Sequence, residues 1–435
     1  MEAQAGGPLG ESKYHKRPRG SIFLDLMRPR RTSTRRGMLM TMMPPPLLPV
    51  AAGCCGLLLV AALLFLAGGS PLSAPAAPSR RAAPMMLPRD SPLASSGGSA
   101  AAQAHAQAKH GEAGAHADEA ESAAAARVVG DAEARARGAV IGAFVADAAT
   151  MGLHWIYSTG EIDRKVGGDS SRAAFFTPPS SPFYQYASGA SSPYGDELQP
   201  LLRTLAAHGG RLDPEAFAQE SARYFSEYQG RLNSVMRSFT QRVLSRHLAY
   251  PHTGVDDDQA HALVKVPLLV LAFGGAEAAV LRRKVEEAVR VHQDNGVAVA
   301  LAQALALLLQ QVTHRGRTVQ QALEWGLSSG ELPAQAVALL KDAQRSLDIT
   351  TRSAAARHGS SCHLPGSFVV PVHAMLTHTD YATAVIDNIL AGGDQASRAI
   401  VIGAFFAAQD PSSVPRAWLD KTSALPEITT LLDAF

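Results

Sequence analysis

Cysteine is scarce in this 435-residue chain: Cys54 and Cys55 are adjacent in an apolar run and Cys362 stands alone. That pattern excludes a disulfide framework and a cysteine-built zinc site. Aromatic residues make up 6% of the chain, and only Tyr14, Phe23 and Phe65 precede residue 129. The first third therefore lacks the material for an ordinary core. Neither sign of charge dominates, with 40 Lys and Arg against 38 Asp and Glu. Such balance argues for no nucleic acid as partner. Sustained alternation of Val, Ile, Thr and Tyr with polar residues is also missing, which excludes a sandwich or barrel. With alanine at 77 positions, the expected fold class is all-α.

What is present divides the chain into four stretches. Residues 1–46 form a basic segment, with nine Lys or Arg before residue 38 against Glu2, Glu11 and Asp25. Residues 47–68 read LLPVAAGCCGLLLVAALLFLAG, an uncharged run long enough for a helix to cross a hydrocarbon layer of about 30 Å. The basic excess lies upstream of this run, so a signal anchor is expected, single-pass, with the C-terminal domain on the non-cytoplasmic side. The alternative is a cleaved leader starting near Met27, with Ala74-Pro75-Ala76 as cleavage site, which delivers the domain to the secretory pathway or an organelle. A transit peptide fits the Arg and Ser content but not the long apolar run. Residues 69–127, rich in Ala, Pro and Ser, cannot bury enough apolar area to offset chain entropy and read as a disordered linker. His105, His110 and His116 within it read as solvated.

Residues 128–435 carry the helical pattern and read as one domain. Apolar residues recur at three- and four-residue spacing over 277–294, 297–313, 333–346 and 380–391, and the stretch 297–312, apolar nearly all round, predicts a central buried helix. Gly138, Gly142 and Ala146 leave one helix face nearly bare, so another helix can approach it closely. Asp147 follows in apolar surroundings, where a carboxylate needs a cation, hydrogen-bond donors or a metal. Asp196 and Glu197 are adjacent acids after a Ser/Pro/Gly-rich loop, a pattern that suits either a hard divalent cation or a helix first turn. Gly392 and Gly393 allow a tight turn that places Asp394 at a helix start, with Ser397 three residues on, fitting a cap, a metal or a phosphate. Asp256, Asp257 and Asp258 beside His252 form a further carboxylate cluster, or a loop that caps a helix over 260–271. Cys362 and His363 are neighbours whose side chains point apart on most backbones, a poor arrangement for a thiolate and its base.

The segments YGDELQ, TGVDDDQAHAL, VHQDN, SCHLPGSF and GGDQASRAIVIGA, in this order over Arg137 to Ala408, resemble the ADP-ribosylglycohydrolase family. They are most similar to its branch of jellyfish J-type crystallins and selenoprotein J. The resemblance implies an orthogonal multi-helix bundle that holds two magnesium ions in a cleft and hydrolyses ADP-ribose or ADP-ribosylated substrates. The family's Thr-Asp-Asp triplet falls on Gly195, Asp196 and Glu197. Its late Gly-Gly-Asp-x-Asp-Thr motif falls on Gly392, Gly393, Asp394, Gln395, Ala396 and Ser397. The threonine and the second late aspartate are thus replaced. The family's early Gly-Asp pair corresponds to Ala146-Asp147, and the stretch that should hold a water-positioning glutamate reads Gly152-Leu153-His154-Trp155. On this reading Asp147 and His154 are the candidate catalytic groups, and Gly392 and Gly393 the cofactor-binding glycines. Asp196, Glu197, Asp394 and Ser397 are the metal ligands, enough for one Mg2+ and short for two. Asp256, Asp257 and Asp258 are possible substitutes. The expectation is a hydrolase of ADP-ribose or related glycosidic linkages with a degenerate magnesium site. The alternative is a catalytically inactive, crystallin-like binding or structural protein of the same fold.

Overall fold

The computed structural model describes residues 129–435. The basic segment, the membrane or signal helix proposed at 47–68 and the linker at 69–127 lie outside the described residues. Helix α1 covers 129–151 and α2 Thr159–Val166. The N-terminal half continues with α3 Pro193–Ala207, α4 Pro214–Glu227, α5 Ser234–Thr240, α6 His261–Val264, α7 Val266–Phe273 and α8 Ala278–His292. The C-terminal half holds α9 Gly296–Thr313, α10 Val319–Ser328, α11 Ala334–Gln344, α12 Thr351–His358, α13 Gly366–Thr377, α14 Tyr381–Leu390, α15 Gln395–Gln409, α16 Arg416–Leu419 and α17 Leu425–Leu432. No strand occurs among the described residues. Two isolated bridges, Val255 to Gln293 and Gln259 to His363, tie loops together.

Local chemistry sets most helix starts. Asn295 accepts from the Val297 and Ala298 amides at the head of α9. Thr318 and Gln321 form a reciprocal capping box on α10, and Asp380 accepts from Thr383 N on α14. The stretch 260–271, expected as one helix, is instead broken at Lys265 into α6 and α7. Pro267 accounts for the break: it has no amide hydrogen, and its ring clashes with the carbonyl four residues back.

Helix α9 has the length and apolarity to cross a membrane, yet 78% of it is buried inside the domain. It is the core helix expected from its sequence, packed by α6, α7, α8, α10 and α15. The bare face of α1 meets α15. A methyl group at Gly142 would lie 2.5 Å from the Gly403 carbonyl oxygen, and one at Gly138 would lie 2.7 Å from that of Ala407. Backbone therefore packs on backbone here, and Tyr381 Oη donates to the Gly142 carbonyl at 2.6 Å. Tyr381 opens α14, so this bond ties the middle of α1 to α14 while Gly403 and Ala407 hold it to α15.

Candidate functional site

The candidate residues meet where α1 ends, α3 and α15 begin, and the 258–261 and 358–363 loops pass. Asp147 is fully buried within α1 and caps nothing in its own helix. Its carboxylate accepts from Ser192 N at 2.7 Å and Ser192 Oγ at 2.5 Å, while Ser192 Oγ in turn accepts from Tyr194 N as the cap of α3. Burial pushes Asp147 up to about 7, against the pull of the Ser192 donors. Gly195 belongs to this arrangement, because a side chain there would overlap Asp147 Oδ2 and come within 3.0 Å of Ser191 Cβ. Gly195 is thus matched to the aspartate it packs against.

Asp394 stands at the head of α15 but makes no capping bond, so the cap among its three readings is not formed. Its Oδ1 accepts from Trp155 Nε1 at 2.8 Å and its Oδ2 from Ser397 Oγ. Burial raises its affinity for a proton, opposed by Ser397, Arg398 and Trp155. Trp155 is held in the left-handed region at φ 65°, a costly conformation for a bulky residue. Its amide is pinned to Gly393 O at 2.9 Å and to Gln395 Oε1 at 3.0 Å. His154, fully buried and stacked on Trp155, accepts from Ala396 N at its Nδ1. The proton of the neutral ring therefore belongs on Nε2, which faces Asp394 Oδ1 at 3.6 Å. Burial and Arg398 hold His154 well below the ordinary imidazole range.

Gly392 and Gly393 both have positive φ and do form the expected tight turn, but the room they leave is filled by protein. A methyl at Gly392 would lie 3.1 Å from Ile156 O, and Gly393 packs on the Ser360 carbonyl. The turn is clamped by Arg398, which is fully buried and donates to Asn388 Oδ1 at 2.8 Å and to the carbonyls of Gly392 and Ser360. Burial lowers its guanidinium to about 10, with Asp394 as the main opposing charge.

Adjacent in sequence, Asp196 and Glu197 face different partners. Buried Glu197 takes the Asn233 amide on Oε1 and pairs with His261 Nδ1 at 2.7 Å on Oε2. Behind it Lys265, wholly buried, donates to His261 O at 2.7 Å and is brought down to about 8 by desolvation. His292 completes this cluster among the rings of Phe217, Phe225 and Phe239, with neither ring nitrogen hydrogen-bonded. Half-buried Asp196 accepts from Tyr228 Oη at 2.5 Å, and burial, then the Glu197 charge, raise it to about 7 despite that bond. Tyr194 separates the groups, its ring 5.9 Å from His154 and 5.2 Å from His261.

The three consecutive acids diverge. Asp256 accepts from Asn295 Nδ2, Asp257 from Gln259 and Gln293, and Asp258 pairs with His363 Nδ1 at 2.6 Å. None caps α6, whose N-terminus carries no side-chain cap. His363 is thus turned away from Cys362, whose thiol donates to Gln259 Oε1 and is pushed up to about 12 by burial.

Ser397 lies on Asp394, while Asp196 and Glu197 bond to Tyr228, Asn233 and His261. Among the described residues no group of three or more His, Cys, Asp or Glu side chains is placed to hold a metal ion. Ser397 spends its proton on Asp394, both Glu197 oxygens are engaged, and an indole N–H, which cannot ligate, sits on Asp394. Sequence reasoning missed Trp155, Arg398, Tyr228, His261 and Lys265 as partners. Lys265 alone carried a local signal, as a single charge inside an otherwise apolar run.

A solved structure titled ADP-ribosylglycohydrolase-related protein complex superposes with a TM-score of 0.50 at 18% identity, covering 70% of this chain and 97% of that one. Crystallin J1A of Tripedalia cystophora is 28% identical over 320 residues, 68% of this chain and 94% of its own. Crystallin J1B of the same animal is 25% identical over 301 residues, covering 66% and 92%. Residues 128–435 match the family described as ADP-ribosylglycohydrolase, and the chain belongs to that family, in the company of its J-type crystallins.

Proposed function

We propose that this domain is a non-hydrolytic member of the ADP-ribosylglycohydrolase family, retained for binding or bulk structure as its crystallin relatives' names suggest. The observation that carries this reading is the closure of Asp394. Its two oxygens are occupied by Trp155 Nε1 and Ser397 Oγ, and it is 0% exposed. A divalent cation bound there would have to share oxygens already engaged by an indole N–H and a hydroxyl. Glu197 and Asp147 are closed in the same way by His261, Asn233 and Ser192. Each carboxylate thus has protein partners, which supports a role in the fold for these buried groups.

The test uses the full-length protein. It is incubated with ADP-ribosylated arginine and serine peptides and with free ADP-ribose derivatives, with magnesium and with EDTA, and titrated calorimetrically with magnesium. The expected result is no release of ADP-ribose and no magnesium heat. Magnesium-dependent release that disappears in Asp394→Ala would establish the hydrolase instead.

A further inference from the structure

Two irregular stretches of chain meet on Trp155. Residues 181–186 belong to the Ser/Pro/Gly-rich loop before α3, and residues 229–232 join α4 to α5. Neither stretch makes a backbone-to-backbone hydrogen bond, and none of their residues is fully buried. Few buried contacts and few backbone bonds mark the part of a fold that opens at least cost.

The shorter stretch is a strap pinned at both ends. At one end Tyr228 Oη donates to Asp196, and at the other Asn233 donates to Glu197 and caps α5 through the Met236 amide. Between these pins the Arg231 amide donates to Tyr186 Oη at 2.6 Å, which joins the strap to the facing stretch. Tyr186 Oη also meets Tyr228 Oη at 3.1 Å, and a side chain at Gly230 would overlap both phenols. The facing stretch has a pin of its own in Tyr184 Oη, which donates to Met151 O at 3.1 Å. The exposed Arg231 guanidinium lies 4.9 Å from the centre of the Phe183 ring and 5.6 Å from that of Trp155. Phe183 and Tyr184 pack edge-on to the same indole at 5.5 and 6.0 Å. That indole donates to Asp394, so the two stretches rest on the group that closes the carboxylate cluster.

We propose that residues 181–186 and 229–232 form one cover that opens as a unit about the Tyr184, Tyr228 and Asn233 pins, with Arg231 as its latch, and that this opening is the route to Trp155 and the carboxylates beneath it. Two cation–π contacts and one phenol hydrogen bond suit a latch, being individually weak and lost together. The inference goes beyond the non-hydrolytic reading and does not depend on it, because it concerns access to the cluster and not what the cluster does.

The full-length protein tests this with two probes. Chymotrypsin cleavage after Phe183 or Tyr184 under native conditions, identified by fragment mass, tracks the open population. Acrylamide quenching of Trp155, in the chain carrying Trp325→Phe and Trp418→Phe, tracks what the opening uncovers. Arg231→Ala should raise the cleavage rate about two- to fivefold, and Arg231→Lys, which keeps a cation over the rings, should restore most of the protection. Tyr186→Phe, which frees the Arg231 amide without removing a ring, should raise cleavage by a similar factor and increase Trp155 quenching. Cleavage unchanged by both Arg231→Ala and Tyr186→Phe overturns the latch. Faster cleavage in Tyr186→Phe with Trp155 quenching unchanged overturns the cover, and so does an equal rise in cleavage after buried Phe217, which would mark global unfolding. The cleavage assay needs neither tryptophan replacement, so it decides alone if those two changes unfold the chain.

Discussion

Asp394 is the residue on which a structural and a metal-binding role predict opposite signs. In a vacant metal site, neighbouring carboxylates repel one another, so replacing one with a neutral isostere leaves the metal-free protein as stable or more so. In the arrangement described here Asp394 accepts two hydrogen bonds and supplies the negative charge nearest to buried Arg398. Asp394→Asn keeps the shape and one acceptor but removes the charge. Each hydrogen bond to a charged group contributes about 1.5–3 kcal/mol, and leaving a buried charge without its partner costs about 3–5 kcal/mol. These terms overlap, so the expected loss is about 3–5 kcal/mol, a large share of the usual 5–15 kcal/mol of a folded domain. Urea unfolding followed by circular dichroism, in EDTA and in millimolar magnesium, measures it. The loss should be the same in both, and Trp155→Phe, which removes only the indole donor, should lose about 1–3 kcal/mol. An Asn variant as stable as its parent in EDTA, together with a parent stabilised by magnesium, would refute the reasoning.

Three further outcomes follow from the packing and the buried charges. Gly142→Ala should lower the free energy of unfolding by about 1–3 kcal/mol through overpacking, whereas Gly160→Ala, in a helix with no atom nearer than 3.9 Å, should raise stability by up to ~1 kcal/mol; equal effects would show that α1 and α15 are not in backbone contact. His292→Leu, replacing two unpaired ring nitrogens in a cage of phenylalanines, should leave the protein at least as stable at neutral pH, and a loss above ~1 kcal/mol would reveal a partner for the ring. Asp147, raised from 3.8 to about 7 by burial, binds its proton more tightly when folded. Its contribution is therefore complete below pH ~4 and is lost as pH rises through 7. The midpoint difference between the parent and Asp147→Asn should vary across that window, and a constant difference would show the shift to be absent. His154 and His292 act with the opposite sign. Held well below 6.5, they favour the folded state less as the pH falls beneath that value.

The helices were legible because their signals are local. Apolar residues at three- and four-residue spacing marked 277–294, 297–313, 333–346 and 380–391, each of which holds a helix, and the stretch 297–312 is apolar on all sides because nearly all of it is covered. The bare face of Gly138, Gly142 and Ala146 likewise predicted a close neighbour, though nothing in it named α15. The break at Lys265 needed the steric rule for Pro267 to be given more weight than the apolar period. The site was legible as a set of carboxylates and not as a set of pairs. Asp394 and Ser397 are three residues apart and were read together, but the Trp155 donor lies 239 residues from Asp394, and no spacing rule reaches so far. Adjacent Asp196 and Glu197 show the reverse error: neighbours in sequence on a helix point about a quarter turn apart, so they joined different networks.

The seam between α1 and α15 also bears on how the chain is made. Gly142 of α1 and Gly403 of α15, whose backbones meet, are separated by 261 positions (403 − 142) in the sequence. At ordinary rates of synthesis the first of them waits roughly 10–50 s for the second. During that interval the glycine-lined face of α1 has no neighbour of its own, so the domain cannot close cooperatively as it emerges. Closure of this seam waits for α15, and until then the small-residue face of α1 is open to mispairing.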